Sequence, residues 1–295
     1  MPGTCPGVSG QRRAVFLDLD GTLSISDDGP SQLVIQGLHK ARARGHKLFL
    51  NTGRTLATVP PKVLELEWDG LITAIGACIE IKGRVIQDAP YPREEAEHLI
   101  GLLRRAGMVF LVETEKATFT DLAQFRRMKE ELRPGCGINH EVAALFDLLE
   151  QGRIQEWSVY SGQPVYKVAF LSKEDQNLAR LRPQLEAMYG VVVHPPERPG
   201  FVTDIELVRP HINKGTALLR VCRECGIDPQ DSIAFGDSAN DCEMLRCAGW
   251  GVAMGNGDRA IQVCADEVCG SVKEDGLYGA FAALGLIAAD DGTKP

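Results

Sequence analysis

Ala14-Val15-Phe16-Leu17-Asp18-Leu19-Asp20-Gly21-Thr22 is where the organised part of the chain begins. Its first four residues form an uninterrupted apolar run, the pattern of a strand buried on both faces rather than on one. The run ends abruptly in two carboxylates two positions apart, then a glycine and a hydroxyl. Strands of this kind belong to parallel sheets with helices on both faces. The next stretch agrees. Gln32 to Arg44 carries Leu33, Val34, Leu38 and Ala41 inward at helical spacing, and Gly45 stands at the C′ position. Lys47 to Leu50 predicts a second strand, which also ends in a polar turn, Asn51-Thr52-Gly53-Arg54. A helical stretch and a third apolar run, Gly70 to Ile81, complete a β-α-β-α-β beginning.

The texture changes in the middle. After Pro90 and Pro92, helices are predicted at Glu94–Arg105, Asp121–Leu132, Glu141–Gln151 and Lys173–Tyr189. Strands are predicted at Met108–Val112, Tyr166–Leu171, Val191–His194 and Thr203–Val208. The α/β texture then resumes with a helix from Gly215 to Cys225 and strands at Asp231–Phe235 and Trp250–Met254. The expected organisation is an α/β core domain made of residues 14–83 and 210–289, interrupted by an inserted α+β domain at 84–209. Residues 1–13 read as a short disordered tail.

Composition limits the function classes. The chain has 295 residues, 44% hydrophobic, 24% charged and 6% aromatic, which is the ordinary globular range. Forty acidic residues outnumber 32 basic ones for a net charge of −8, and no basic stripe recommends nucleic acid or an anionic membrane as partner. The longest nearly apolar stretch, Gly279 to Ala289, falls short of the ~18 residues of a membrane span. Residues 1–13 lack the apolar centre of a signal peptide, so a cytoplasmic location is expected. The 9 cysteines are too sparse for a disulfide scaffold and are expected to be reduced.

Four polar clusters stand at predicted strand ends or helix starts, the edge at which open α/β sheets bind ligands. Asp18 and Asp20 are close enough to share a divalent cation, or to split nucleophilic and proton-transfer roles. A bare pair of this spacing more often simply caps a turn. Thr52-Gly53-Arg54 offers a hydroxyl, an unhindered amide and a cation to a phosphate at a helix start. Lys214 can neutralise a carboxylate and a phosphoryl oxygen together. Gly236-Asp237-Ser238-Ala239-Asn240-Asp241 ends a strand, and Asp237 adds a third oxygen ligand for a hard ion such as Mg²⁺. Asn240 and Asp241 fall on the first turn of the following helix.

Taken in order, these four clusters resemble the four signatures of the haloacid dehalogenase superfamily. Asn213-Lys214-Gly215, Gly251 to Asn256 and Glu274-Asp275-Gly276 narrow the resemblance to the Cof-like phosphatases. It implies a Rossmann-like parallel-sheet core with helices on both faces and an inserted C2-type cap. It implies a small phosphorylated metabolite as substrate, a sugar or sugar acid phosphate above all. Asp18 would be the nucleophile and Asp20 the acid–base. Gly21, Thr52, Gly53, Arg54, Lys214 and Asn240 would hold the phosphoryl group. Mg²⁺ would sit at Asp18, the Asp20 carbonyl and Asp237, supported by Asp241. One position departs from the pattern: Ile75-Gly76-Ala77 stands where Cof-like proteins commonly carry Asn-Gly-Ala.

Two alternatives differ in class. A phosphomutase of the phosphomannomutase type would gather cap arginines around a second phosphate, yet Arg104, Arg105, Arg126, Arg127 and Arg133 include adjacent pairs that face different ways. A phosphate-binding protein without activity would have no use for Asp20. Lys116, Arg126, Lys167 and Arg209 are the candidate cap contacts to an anionic substrate. Cys222-x-x-Cys225 lacks a second pair for zinc and reads as helix packing. Oligomeric state is not encoded in any pattern recognised here.

Overall fold

The computed structural model describes residues 12–132, 140–173, 176–194 and 202–288. The chain divides into two compact units. Unit 1 comprises Met1–Gly53, Pro60–Ile86 and Asn213–Pro295; unit 2 comprises Arg54–Val59 and Gln87–Ile212.

Unit 1 begins with β1 (Ala14–Leu17), α1 (Gln32–Ala43), β2 (Lys47–Asn51), α2 (Pro61–Leu64), β3 (Gly70–Thr73), β4 (Cys78–Ile81) and β5 (Arg84–Asp88). Unit 2 contains α3 (Arg93–Arg105), β6 (Val109–Thr114), β7 (Thr118–Thr120), α4 (Leu122–Glu131), α5 (His140–Glu150), β8 (Ile154–Glu156), β9 (Val165–Lys173), α6 (Gln176–Glu186), β10 (Gly190–His194) and β11 (Val202–Val208). Unit 1 resumes with α7 (Lys214–Cys225), β12 (Ser232–Gly236), α8 (Cys242–Cys247), β13 (Trp250–Ala253), α9 (Arg259–Cys264), β14 (Glu267–Val268) and α10 (Gly276–Ala283).

The sheet of unit 1 runs β14-β13-β12-β1-β2-β3-β4-β5. From β14 to β3 every pairing is parallel, as the apolar strands predict. β1 is flanked by β2 on one side and β12 on the other, with Ala14 opposite both Lys47 and Ser232. The chain winds outward from β1 in one direction and returns to lie on its other side, so the strand order switches between β1 and β12. That is where an open α/β sheet leaves a crevice at its carboxyl edge.

Alternation along β1 sorts the helices. Ala14 and Phe16 join Phe49, Leu218, Val221, Met244 and Ile261 in the core beneath α7, α8 and α9. On the opposite face α1 packs against α10, and the Phe235 and Phe281 rings stand 5.5 Å apart. Two expectations need correction. The run Gly70 to Ile81 is not one strand but two, β3 and β4, paired antiparallel with Thr73 opposite Cys78. Left-handed backbone at Ala74, Ile75 and Gly76 makes the reversal, and an unbroken apolar run hides it. Leu33 is not inward but 37% exposed. α1 buries Val34, Gly37, Leu38 and Ala41, a stripe that leaves Leu33 to one side.

Unit 2 is an α+β body on a six-stranded sheet ordered β10-β11-β9-β6-β7-β8. One sheet face buries Phe110, Val112, Val168, Phe170, Ile205 and Leu207 with Leu99 and Leu103 of α3 and Leu181 and Leu185 of α6. The other buries Val109, Leu111 and Leu171 with Phe125 of α4 and Val142, Phe146 and Leu148 of α5. β7 and β8, three residues each, are too short to carry a readable alternation.

Candidate active site

The carboxyl edge of the unit 1 sheet gathers side chains from four separate turns. Asp18 follows β1, and its amide donates to Phe235 O of β12 at 3.1 Å. Its position in the alternation continues that of Ala14 and Phe16, toward the face that α7 covers. Lys214 opens α7. Asn213 caps this helix through a reciprocal pair with Thr216, which sets the first turn and hence the direction of the lysine stem. Lys214 is 1% exposed. Its Nζ donates to Asp18 Oδ1 at 2.6 Å and to Asp241 Oδ1 at 2.7 Å.

Asp237 and Asp241 come from the turn after β12. Asp241 is buried, and its Oδ2 accepts the amides of Asp237 and Ser238 at 3.1 Å each. Asp241 is therefore the residue that shapes the loop, with both oxygens engaged inside the protein. It ends a short 3₁₀ turn, Ala239–Asp241, that precedes α8. Gly236 is required here, because a Cβ would overlap the Asp241 side chain. Asn240 Oδ1 accepts from Ser238 Oγ at 3.1 Å.

Gly21 turns the loop after β1 with φ +79°, and a Cβ there would overlap the Asp237 carboxylate. Thr22, fully buried, donates to Asp237 Oδ1 at 3.4 Å. Asp20 is half-buried and bridges to Ser24 in the same loop. Thr52 is buried after β2; its amide donates to Ile72 O at 2.9 Å, and its carbonyl accepts from Ile75 N at 3.1 Å. Gly53 follows it as the last residue of this unit 1 segment. Asn51 Nδ2 donates to Lys214 O at 3.0 Å and so ties the second turn to the start of α7.

Asp18, Asp237 and Asp241 each offer a carboxylate oxygen within 4.8 Å of the others, and all three are buried. The Lys214 ammonium pairs with two of these three carboxylates, Asp18 and Asp241. Burial, then the neighbouring Asp241, push the Asp18 carboxyl well above its ordinary range, although Lys214 pulls it down. For Lys214 burial opposes the charge, but Asp18 and Asp241 outweigh it and the ammonium is held more firmly than usual. Excess negative charge among hard oxygen donors, with no sulfur or imidazole, fits a cation such as Mg²⁺.

A family model described as haloacid dehalogenase-like hydrolase matches residues 15–281. The chain belongs to the haloacid dehalogenase-like hydrolases. The 5-amino-6-(5-phospho-D-ribitylamino)uracil phosphatase YitU of Bacillus subtilis is 26% identical over 269 residues, 89% of this chain and 94% of that protein. The pyridoxal phosphate phosphatase YbhA of Escherichia coli is 25% identical over 279 residues, 90% of this chain and 96% of that protein. The solved structure of BT4131, a sugar phosphatase of haloacid dehalogenase subclass IIB, is 26% identical with a TM-score of 0.71 and covers 93% of this chain and 100% of its own. Among the described residues of this hydrolase, no helix is long and apolar enough to cross a membrane.

Asn256 closes the Gly251–Asn256 pattern, which by itself assigns it no role. Its Nδ2 donates to Gly21 O at 2.8 Å and to Asp237 Oδ2 at 3.3 Å, while its Oδ1 accepts from Val272 N at 2.9 Å. It thus joins the turns after β1, β12 and β13. A lone Asn after a strand carries no signal for that in one sequence. Ile75, in the Asn position of the family pattern, is buried with φ +59°. A β-branched residue pays for that backbone with strain that asparagine tolerates better.

Unit 2 carries its own polar site. Glu113, Lys167, Asp204 and Glu206 are buried, and Lys167 pairs with both Glu206 and, at 3.6 Å, Glu113. Glu113, Lys167 and Asp204 line an open cavity together with Arg54 and Thr58. Arg54 donates to Thr58 O at 2.9 Å. Of the candidate cap contacts, only Lys167 lines this cavity. Lys116 and Arg126 are exposed, and Arg209 donates to Pro90 O at 2.8 Å and lies over the Tyr91 ring. Arg133 falls outside the described residues.

Proposed function

We propose that this hydrolase releases phosphate from a small phosphomonoester, a phosphorylated sugar or sugar acid, by way of an aspartyl-phosphate on Asp18. The observation that carries this reading is the buried Asp18 carboxylate, gripped by Lys214 and joined by Asp237 and Asp241. Asp18 attacks the phosphorus in line with the departing alcohol. Lys214 fixes the rotamer of Asp18 and offsets charge on the transferring group. Asp20, before the Gly21 turn and less deeply buried than Asp18, protonates the alcohol and then takes a proton from the water that hydrolyses the acyl phosphate. Thr52 and Gly53 offer a hydroxyl and an amide to the phosphoryl oxygens, and Asn240 offers its amide.

Asp18, the Asp20 carbonyl and Asp237 would hold Mg²⁺, with Asp241 supporting them through the loop. When bound, the ion supplies charge that keeps Asp18 ionised and neutralises the phosphoryl oxygens. Within unit 2, the cavity presents carboxylates and an ammonium suited to hydroxyl groups. YitU, YbhA and BT4131 are named for small phosphorylated metabolites, which supports the class. A panel of phosphomonoesters with free-phosphate detection tests it: release with Mg²⁺ present is expected for the wild type and absent for Asp18→Asn. Near-normal release by that variant, or isomer formation without free phosphate, overturns the reading.

A further inference from the structure

Two turns grip the Asp237 side of the acidic cluster. Asp241 holds the Asp237 and Ser238 amides, and Asn256 holds Asp237 Oδ2. Cys242 is the next residue after Asp241 and begins α8; Cys264 ends α9, the short helix that follows the Asn256 turn. The sequence reads these cysteines as reduced, and nothing in a separation of 22 residues suggests a pair. In the structure they are joined as a disulfide, with Cα atoms 5.3 Å apart.

The link therefore ties together the two segments that position Asp237. α9 transmits the constraint because it is tied to the turn that precedes it: Asp258 caps it through Ile261 N at 3.0 Å, and Gln262 Nε2 donates back to Gly257 O at 3.1 Å. Opening the link does not dismantle the region. Ile261 of α9 and Met244 and Leu245 of α8 share one fully buried apolar cluster. Both half-cystines are partly exposed, so a small thiol can reach them. The described thiols nearby are poorer partners: burial pushes Cys222 up to about 12 and Cys269 up to about 11, and raises Cys247 as well.

We propose that Cys242 and Cys264 are a reversible thiol–disulfide site that sets how tightly the acidic cluster holds a divalent cation. Closing proceeds by exchange with a low-molecular-weight disulfide. One cysteine thiolate attacks it, forming a mixed disulfide and releasing one small thiol. The second cysteine attacks the protein sulfur of that mixed disulfide and releases the other small thiol. Two protein thiols lose two electrons and two protons; the small disulfide gains them. The small thiol in excess runs the exchange backward. The closed form holds the turns of Asp241 and Asn256 in register around Asp237, and the open form lets them move apart.

This inference rests on the metal reading of the cluster, and the test separates the two. Metal-free full-length protein is equilibrated with glutathione disulfide or with glutathione, and peptide mass mapping establishes the state of the pair. Mg²⁺ is then titrated calorimetrically without substrate. The reduced protein is expected to bind Mg²⁺ about tenfold more weakly, the lower end of the effect of removing groups that support metal ligands from behind. Cys264→Ser, which leaves all three carboxylates in place, is expected to show the reduced-state affinity under both conditions. Equal affinities in verified oxidised and reduced protein overturn the proposal. A change in thermal midpoint with no change in affinity does so too, as does failure of the pair to oxidise. Mg²⁺ binding in neither state overturns the metal reading itself, and this one with it.

Discussion

Replacing Lys214 by Met tests what holds the acidic cluster together. Lys214 Nζ stands 2.6 Å from Asp18 and 2.7 Å from Asp241, all three buried. At an effective dielectric constant of ~20, a pair at this distance is worth about 6 kcal/mol before desolvation. Much of that is offset by the cost of burying the ammonium, so the measurable loss is about 3–5 kcal/mol, the usual result of stranding a buried partner. Spread over a unit of this size, that corresponds to a fall in Tm of roughly 6–20 °C. The assay is urea unfolding of wild type and Lys214→Met in a chelator, followed by circular dichroism at pH 8 and pH 5.5. Without the ammonium, which pulls it down, the folded-state Asp18 carboxyl rises further above its unfolded value. A raised carboxyl contributes stability below the unfolded pKa and loses it as pH rises through the folded one. The deficit of the variant is therefore largest at pH 8 and shrinks toward pH 5.5. Adding Asp18→Asn to Lys214→Met removes one stranded charge and recovers part of the loss. A deficit under ~1 kcal/mol at pH 8, the value of an exposed pair, would refute the reasoning; so would a deficit that grows as pH falls.

Three further outcomes are expected. A strong chelator stops phosphate release and Mg²⁺ in excess restores it; turnover that survives chelation contradicts the metal assignment. Gly21→Ala forces a side chain into left-handed backbone and against the Asp237 carboxylate, so turnover falls by about a hundredfold, the scale for an ångström of misplacement in a site; a steady-state assay with unchanged kcat argues against that loop. His46 is buried and accepts from Arg13 N at 3.1 Å through Nδ1, and burial, then Arg44 and Arg13, lower its pKa. Its neutral form is favoured in the folded state, so its share of stability is lost as pH falls below about 6.5, the unfolded value. Urea midpoints at pH 7.5 and 5.5 should therefore converge for His46→Gln relative to wild type.

Which parts of this molecule a single sequence discloses follows from where the information sits. The strands β1, β2 and β12 are buried on both faces, so each reads as an apolar run, and each ends in a turn whose residue types already suggest phosphate and metal. Asp18, Lys214 and Asp237 are visible because their polar clusters occur together and in order, each at a strand end or helix start. The hairpin of β3 and β4 is invisible because its reversal falls on Ala74 and Ile75, residues that ordinarily avoid left-handed backbone. Asn256 and the Cys242–Cys264 link depend on segments brought together only by folding. The charged face of unit 2 is hidden for another reason: Glu113 and Lys167 lie in strands whose other faces are apolar, and lysines and glutamates in a single sequence read as solvated.

The interrupted topology also dictates an order of events during synthesis. β1 needs β12 beside it, yet Ala14 and its partner Ser232 are 218 positions apart. At about 5–20 residues per second, β1 waits roughly ten to forty seconds on the ribosome for that neighbour. Unit 2, apart from Arg54–Val59, is one continuous segment that is complete once Ile212 has emerged. It can close its core while unit 1 still presents an apolar strand with an unpaired edge, the kind of surface that chaperones engage and that aggregates form upon. The strand that carries Asp18 is thus among the first made and among the last to be enclosed.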